Sequence, residues 1–156
     1  MKNLIFLSFL LIFSAYSCQK TLSKEQLRRI ALENEVMVLH DSIMAKGGKM
    51  QQLATELNKF KENKKENQKE NQKDTANISK KIDSQVFALI KADDLMMDWM
   101  KNYKPPTKRD TNNTAKEMKY LLNEKVKILL VGAQTAQAIK NASILRDKLK
   151  LAQKNQ

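Results

Sequence analysis

Residues 32–60 decide the fold, and they read LENEVMVLHDSIMAKGGKMQQLATELNKF. Apolar side chains recur here mostly three or four residues apart, which places them on one face of an α-helix. Gly47 and Gly48 interrupt the pattern at a cost of about 1 kcal/mol each relative to alanine, so we expect a local kink or a close helix contact. The apolar face consists of Leu32, Val36, Leu39, Ile43, Met50, Leu53, Leu57 and Phe60.

Two further amphipathic segments follow this one. Residues 61–73, KENKKENQKENQK, contain no apolar side chain and cannot bury a face, so they separate the first helix from the second. Pro105 and Pro106 end the second helix, and the slim section around Gly132 in the third helix allows another helix to approach closely. We predict an all-α fold, an elongated antiparallel three-helix bundle of up-down-up topology. Its helices span about 24–62, 77–103 and 114–150, with a polar low-complexity tip at 61–76. The alternative is a set of long helices that complete their core in a dimer.

The composition excludes several classes of protein. The 156 residues include only three Gly and two Pro, too few for the turns of a β-sandwich or barrel. Phosphate-binding glycine-rich loops are excluded for the same reason. One Cys and one His exclude a disulfide framework, a cysteine-based zinc site and a paired-histidine metalloprotease motif.

The chain is strongly basic, with 29 Lys+Arg against 17 Asp+Glu and a net charge of +12. A charge of this size often indicates nucleic-acid binding. Acidic residues are interspersed with the basic ones, however, and the N-terminal segment points to the cell envelope. We therefore expect no nucleic-acid partner and a solvated helical surface. Weak attraction to anionic lipid head groups or polysaccharide is the alternative.

The N-terminus carries the strongest functional signal. Lys2 precedes an apolar run from Leu4 to Phe13, which is too short for the roughly 20 residues of a membrane-spanning helix but suits a secretory signal. Residues 15–17 and Cys18 resemble the lipobox of bacterial lipoproteins. We predict a cleaved signal peptide at 1–17, a lipidated Cys18 with a tether at 18–22, and a bundle at 23–156. The alternative is a secreted soluble helical protein with one free thiol.

His40 is the candidate site residue of the bundle. It lies in the middle of the apolar arc of the first helix, and folding the chain about the polar tip places it opposite about position 97. We predict a buried polar pair between His40 and Asp93, Asp94 or Asp98, because burying one of these groups alone would be costly. A His–Asp acid/base enzyme is the least favoured reading, because no nucleophile lies beside the pair and a narrow bundle offers little room for substrate.

A metal site is the functional alternative to this pair. Thioethers with one imidazole suit Cu(I), and histidine with carboxylates suits a harder divalent ion, so copper or zinc is the possible cofactor. Methionine is also a common filler of irregular cores. The candidate ligands are His40, Asp93, Asp94, Asp98, Met37, Met44, Met96, Met97 and Met100.

Two motifs resemble those of a known group of proteins. Residues 36–44, VMVLHDSIM, and 92–100, ADDLMMDWM, are similar to motifs of small uncharacterised lipoproteins of Bacteroidota, some of which carry the label "viral A-type inclusion protein". The resemblance implies a lipid-anchored helical envelope protein, and it brings no activity, cofactor or partner. Asp74-Thr75-Ala76 also resembles an O-glycosylation acceptor triplet of envelope proteins from this group, with Thr75 as the acceptor.

The expected function follows from the predicted signal peptide and lipidation site and from the lack of a recognisable set of catalytic residues in the sequence. We expect a non-enzymatic, lipid-anchored structural or interaction protein of the cell envelope, held by N-terminal acyl chains. Its expected location is the outer membrane, facing the periplasm. An envelope protein or an anionic polymer is the expected partner.

Overall fold

The computed structural model describes residues 22–66, 72–106 and 113–154. These ranges contain helices and no strand, which confirms the all-α fold class. No helix among them is long and apolar enough to cross a membrane. The helices are α1 (Lys24–Met44), α2 (Gly47–Glu66), α3 (Gln72–Asn102) and α4 (Thr114–Lys154).

The predicted first helix is divided into α1 and α2. The Lys46 amide donates to the Ile43 carbonyl at 2.9 Å, a bond one residue shorter than the α-helical pattern, and α2 begins at the next residue. The break therefore lies directly before Gly47, where the sequence predicts a kink. A Cβ atom added to Gly47 or Gly48 meets nothing within 4 Å, so these glycines do not serve a close helix contact.

The start of α1 is fixed by a capping box formed by Ser23 and Gln26. The Gln26 amide donates to Ser23 Oγ at 3.2 Å, and the Ser23 amide donates to Gln26 Oε1 at 2.8 Å. These two bonds satisfy donors that the first turn of a helix leaves unpaired. The entry of the chain into the bundle is thereby set at Ser23.

The core consists of two clusters along α4. Helix α4 packs against each of the other three helices, α2 also packs against α3, and α1 packs chiefly against α4. One cluster joins α1, α3 and the first half of α4: Val36, Ile43, Met96, Trp99, Ile128 and Val131. The other joins α2, α3 and the second half of α4: Met50, Leu53, Leu57, Ile82, Leu89, Ala92, Ala138, Ala142 and Leu149.

Ion pairs connect α4 to α1 and α2 in a fixed order. The residue numbers rise together on both sides of these contacts, so successive turns of α4 meet successive turns of the α1–α2 segment. The pairs are Arg29 with Glu117 at 3.3 Å, Lys125 with Glu35 at 2.6 Å, and Arg146 with Glu56 at 3.8 Å.

The slim section of α4 lies against α1. A Cβ atom at Gly132 would lie 3.1 Å from Ile43 Cδ1 and 3.4 Å from its Cγ1. Ile43 is itself buried and held in the core. The two helices can therefore approach this closely because residue 132 has no side chain.

Alanine substitution should change the free energy of unfolding differently at Gly48, which faces open space, and at Gly132, which lies against Ile43. Gly48→Ala should stabilise the protein by about 0.5–1 kcal/mol, because alanine favours the helix and the added methyl group meets open space. Gly132→Ala should stabilise less or destabilise, because Ile43 must shift. Urea denaturation measures both changes. Adding Ile43→Val, which removes Cδ1, should make the substitution at 132 more favourable; an unchanged effect would contradict the close contact.

Candidate functional site

The structure corrects the predicted pairing of His40. His40 is half-buried on α1, and its Nδ1 lies 2.8 Å from Oδ1 of the adjacent, exposed Asp41. Asp93, Asp94 and Asp98 are all exposed on α3, so the predicted buried His–Asp pair is wrong. The reason lies in the packing: α1 rests chiefly on α4, and the side of α3 that carries these carboxylates stays in water. An exposed carboxylate avoids the desolvation cost that would have required a partner.

The predicted methionine ligands are dispersed over different environments. Met96 is buried in the core and Met37 is half-buried, whereas Met44, Met97 and Met100 are exposed. Among the described residues, no group of three or more His, Cys, Asp or Glu side chains is placed to hold a metal ion. The copper or zinc site therefore stays a prediction from the sequence, and no carboxylate cluster supports it.

Of the two predicted modification sites, the structure describes Thr75 but not Cys18. Cys18 lies outside the described residues. Thr75 lies in the first turns of α3, and its side chain is half-buried. Both modifications stay predictions.

A stack of aromatic rings joins α1, α3 and α4 at the end of the bundle where the chain enters. His40 lies with its ring centroid 5.6 Å from that of Trp99, and Trp99 stacks on Tyr103 at 4.8 Å. Tyr103 in turn lies 6.3 Å from Tyr120 of α4. Such pairs contribute about 0.5–1.5 kcal/mol each beyond the area they bury. The stack thus holds α1 beside α3, which otherwise share few contacts.

Two polar atoms inside this stack lack hydrogen-bond partners. Trp99 Nε1 and the Tyr103 hydroxyl are buried and unpaired, whereas the Tyr120 hydroxyl accepts from the Lys104 amide at 2.8 Å. Burial raises the pKa of Tyr103 to about 12, and the nearby carboxylate of Glu33 adds to the shift. Tyr103 therefore keeps its proton at every physiological pH. Its spacing of four residues from Trp99 is the sequence signal that could have revealed this cluster.

A charged network lies beside the rings. Arg29 is buried, and its guanidinium lies 3.2 Å from Glu33 and 3.3 Å from Glu117, which joins α1 to α4. Glu124 is also buried, at 3% exposed, and pairs with Lys127 at 2.7 Å. The hydrogen bond from Lys127 to Glu124 raises the pKa of that lysine. Each buried charge is thus paired with a charge of opposite sign, which offsets the free-energy cost of removing it from water.

Open grooves flank the stack and the helix break. A groove of about 340 Å³ lies where α3 ends and α4 begins, and a second of about 360 Å³ lies between α2 and α3. Asp93 is among the residues that line the second groove, which include neither His40 nor a nucleophile. The rings and the buried charges together connect α1, α3 and α4 at this end of the bundle. The first groove is lined by Lys104, Pro106, Asn113, Lys116, Glu117 and Tyr120.

Comparison with protein-family models, with curated proteins and with solved structures gave no match. The function is therefore inferred from the residues of this chain alone.

Removal of the Arg29 guanidinium should destabilise the bundle. Arg29→Met leaves Glu33 and Glu117 facing each other without a counter-ion, so we expect a loss of about 3 kcal/mol in the free energy of unfolding. The exposed neighbour is the matched control, because Arg28→Met should change stability by less than about 0.5 kcal/mol. Thermal and urea denaturation measure both variants. Equal losses would show that the network contributes nothing specific.

The Tyr103 hydroxyl should make stability fall at high pH. An unfolded tyrosine loses its proton near pH 10, whereas folded Tyr103 keeps its proton to about pH 12, so the free energy of unfolding falls between these values. Tyr103→Phe should reduce this fall, and at pH 7 it should cost little because the hydroxyl has no partner. Urea denaturation from pH 7 to 11 measures the effect. Tyr120→Phe loses a hydrogen bond and should cost about 1 kcal/mol at pH 7; the opposite ranking would refute this reading.

Proposed function

We propose that the protein is a lipid-anchored helical-bundle protein of the cell envelope, with a structural or interaction role and no enzymatic activity. The observation that carries the proposal is the position of the only cysteine. Cys18 directly follows a short apolar run and small residues, and it precedes the capped start of α1 at Ser23 by a few residues. Acyl chains on a residue at this position anchor the chain stably where a single chain would be marginal.

The proposed topology is an up-down-up bundle behind a signal peptide. The rising order of the ion pairs between α4 and the α1–α2 segment supports a parallel course for these two. The hydrogen bond from Lys104 to Tyr120 supports a tight reversal between α3 and α4. Helix α4 has 41 residues, so the bundle is about 60 Å long. In this topology, the tether and the aromatic stack share one end.

The non-enzymatic role is supported by the chemistry of the site. Buried Arg29 and Glu124 pair within charge networks, and the buried polar atoms of Trp99 and Tyr103 lie inside the ring stack. Neither arrangement places a nucleophile beside a base. The resemblance of residues 36–44 and 92–100 to lipoproteins of Bacteroidota is part of the proposal. An outer-membrane location facing the periplasm, with an envelope protein or anionic polymer as partner, completes it.

Metabolic labelling tests the anchor. Cells that produce the protein are grown with a radioactive or alkyne-bearing fatty acid, and the purified protein is assayed for label. The wild type should carry label, and Cys18→Ala should carry none and leave the membrane fraction. The double variant Cys18→Ala/Ser84→Cys keeps one thiol, on the exposed surface of α3, and should also stay unlabelled. Equal label in Cys18→Ala and the wild type would refute the proposal.

A further inference from the structure

Helix α4 carries a second apolar stripe, on the side opposite the core. Its large apolar residues are 45–61% exposed, which is unusual for a helix that also buries a full face. Val126 lies two residues before the fully buried Ile128, so at 3.6 residues per turn it points about 160° away from it. The stripe runs over 30 residues, from 122 to 151, and is about 44 Å long. Its large members are Leu122, Val126, Leu129, Leu130, Ile144 and Leu151, with Ala133 and Ala136 between them.

The charge of the chain is concentrated on this same helix. Helix α4 has nine basic and three acidic residues, whereas α3 has five of each. The acids of α4 are neutralised: Glu117 pairs with Arg29, Glu124 is buried with Lys127, and Asp147 pairs with Arg146. The exposed outer side of α4 is therefore positive.

The lysines border the apolar stripe or lie within it. Lys140 occupies the stripe itself, four residues before Ile144. Lys119 and Lys148 lie on its border, and all three are exposed. In the part of the chain that the structure describes, none of them has a carboxylate within ion-pair distance. Lysine stems extend along apolar surface while their charged ends reach toward polar surroundings.

We propose that this face of α4, defined by the apolar stripe and its bordering lysines, lies on the surface of an anionic lipid bilayer. Apolar side chains enter the boundary between head groups and acyl chains, and the lysines contact the lipid phosphates. A helix with an apolar stripe and a lysine-rich border has the composition of a membrane-surface helix. The bundle then lies along the membrane on α4, with α1, α2 and α3 turned toward water.

A second copy of the chain fits this face less well. Two α4 helices packed through their outer stripes would bring Lys119, Lys140 and Lys148 of both copies together. The exposed acid of this face, Asp147, is already paired with Arg146 of its own helix. Like charges in such a seam repel. A lipid surface supplies the missing negative charge along the whole stripe.

The inference goes beyond the proposed acyl anchor, because it requires no lipid on Cys18. The test therefore uses full-length Cys18→Ser, which has no thiol and no acylation site, and into which single cysteines are placed. Leu129→Cys carries a nitroxide spin label on the stripe. Ser84→Cys carries the label on the exposed surface of α3 as the matched control. Both proteins share the same N-terminal residues, so a difference between them reports on α4.

Label accessibility is measured by electron paramagnetic resonance with oxygen and with a water-soluble nickel complex. In vesicles of equal parts phosphatidylglycerol and phosphatidylcholine, the label at 129 should become more accessible to oxygen and less accessible to nickel. The label at 84 should remain exposed to nickel. Vesicles of phosphatidylcholine alone, or high salt, should weaken the change, because the lysine contribution is electrostatic.

Charge and apolar variants separate the two contributions. Lys140→Gln and Lys148→Gln should each weaken partitioning into the anionic vesicles about five-fold, whereas Lys80→Gln and Lys91→Gln on α3 should not. Leu122→Ser combined with Leu130→Ser should abolish the immersion of the label at 129. Phe87→Ser, on an exposed apolar residue of α3, should leave the immersion unchanged.

Three outcomes would overturn the proposal. Identical behaviour of the labels at 129 and 84 would show that the stripe does not contact lipid. Dipolar broadening at 129 without vesicles would show that a second copy covers the face. Shielding at 129 from both reagents before vesicles are added would show that the chain's own N-terminal segment covers it. None of these outcomes depends on whether Cys18 is acylated, so failure here is distinguishable from failure of the anchor.

Discussion

The architecture depends on the burial of one seam of α4. Every seventh residue of this helix from Leu121 to Leu149 is buried, through Ile128, Thr135 and Ala142. A seven-residue repeat keeps one side of a long helix facing its neighbours along the whole bundle. The other three helices all pack on this seam. Thr135 fits the seam because its hydroxyl donates to the Val131 carbonyl at 2.9 Å and leaves no unpaired donor.

The shared seam also explains the environment of the candidate site. Since α1 and α3 both pack on α4, they need little direct contact, and one side of α3 stays in water with its carboxylates. The aromatic stack from His40 through Trp99 spans the interval between them. The unpaired Trp99 and Tyr103 groups are the cost of filling this interval with large rings. The position of the ring stack therefore follows from the packing of α1 and α3 on α4.

Local features were predictable from the sequence, and relative rotations of helices were not. The capping box at Ser23, the break before Gly47 and the slim section at Gly132 follow from backbone chemistry that a few residues contain. The partner of His40 depended on the rotation of α3 about its own axis, which decides which of its side chains face α1. Apolar periodicity does not define this rotation closely enough to identify one facing residue. Periodicity also does not separate the two faces of α4, because large apolar residues lie on both of them. Burial was needed to separate Leu121 from Leu122.

Helix α4 has large apolar residues both on the face that packs in the core and on the face exposed to water. The inner face must be apolar to hold three helices, and the outer face retains large apolar residues that water alone would not favour. The positive charge is concentrated beside that outer face, while α3, equally exposed to water, is balanced. Solubility alone would not concentrate lysine on one helix. An acyl chain near Ser23, at the same end as the start of α4, would hold this face at high local concentration beside the bilayer. Weak contacts by a few lysines and apolar side chains would then be enough to fix the orientation of the bundle.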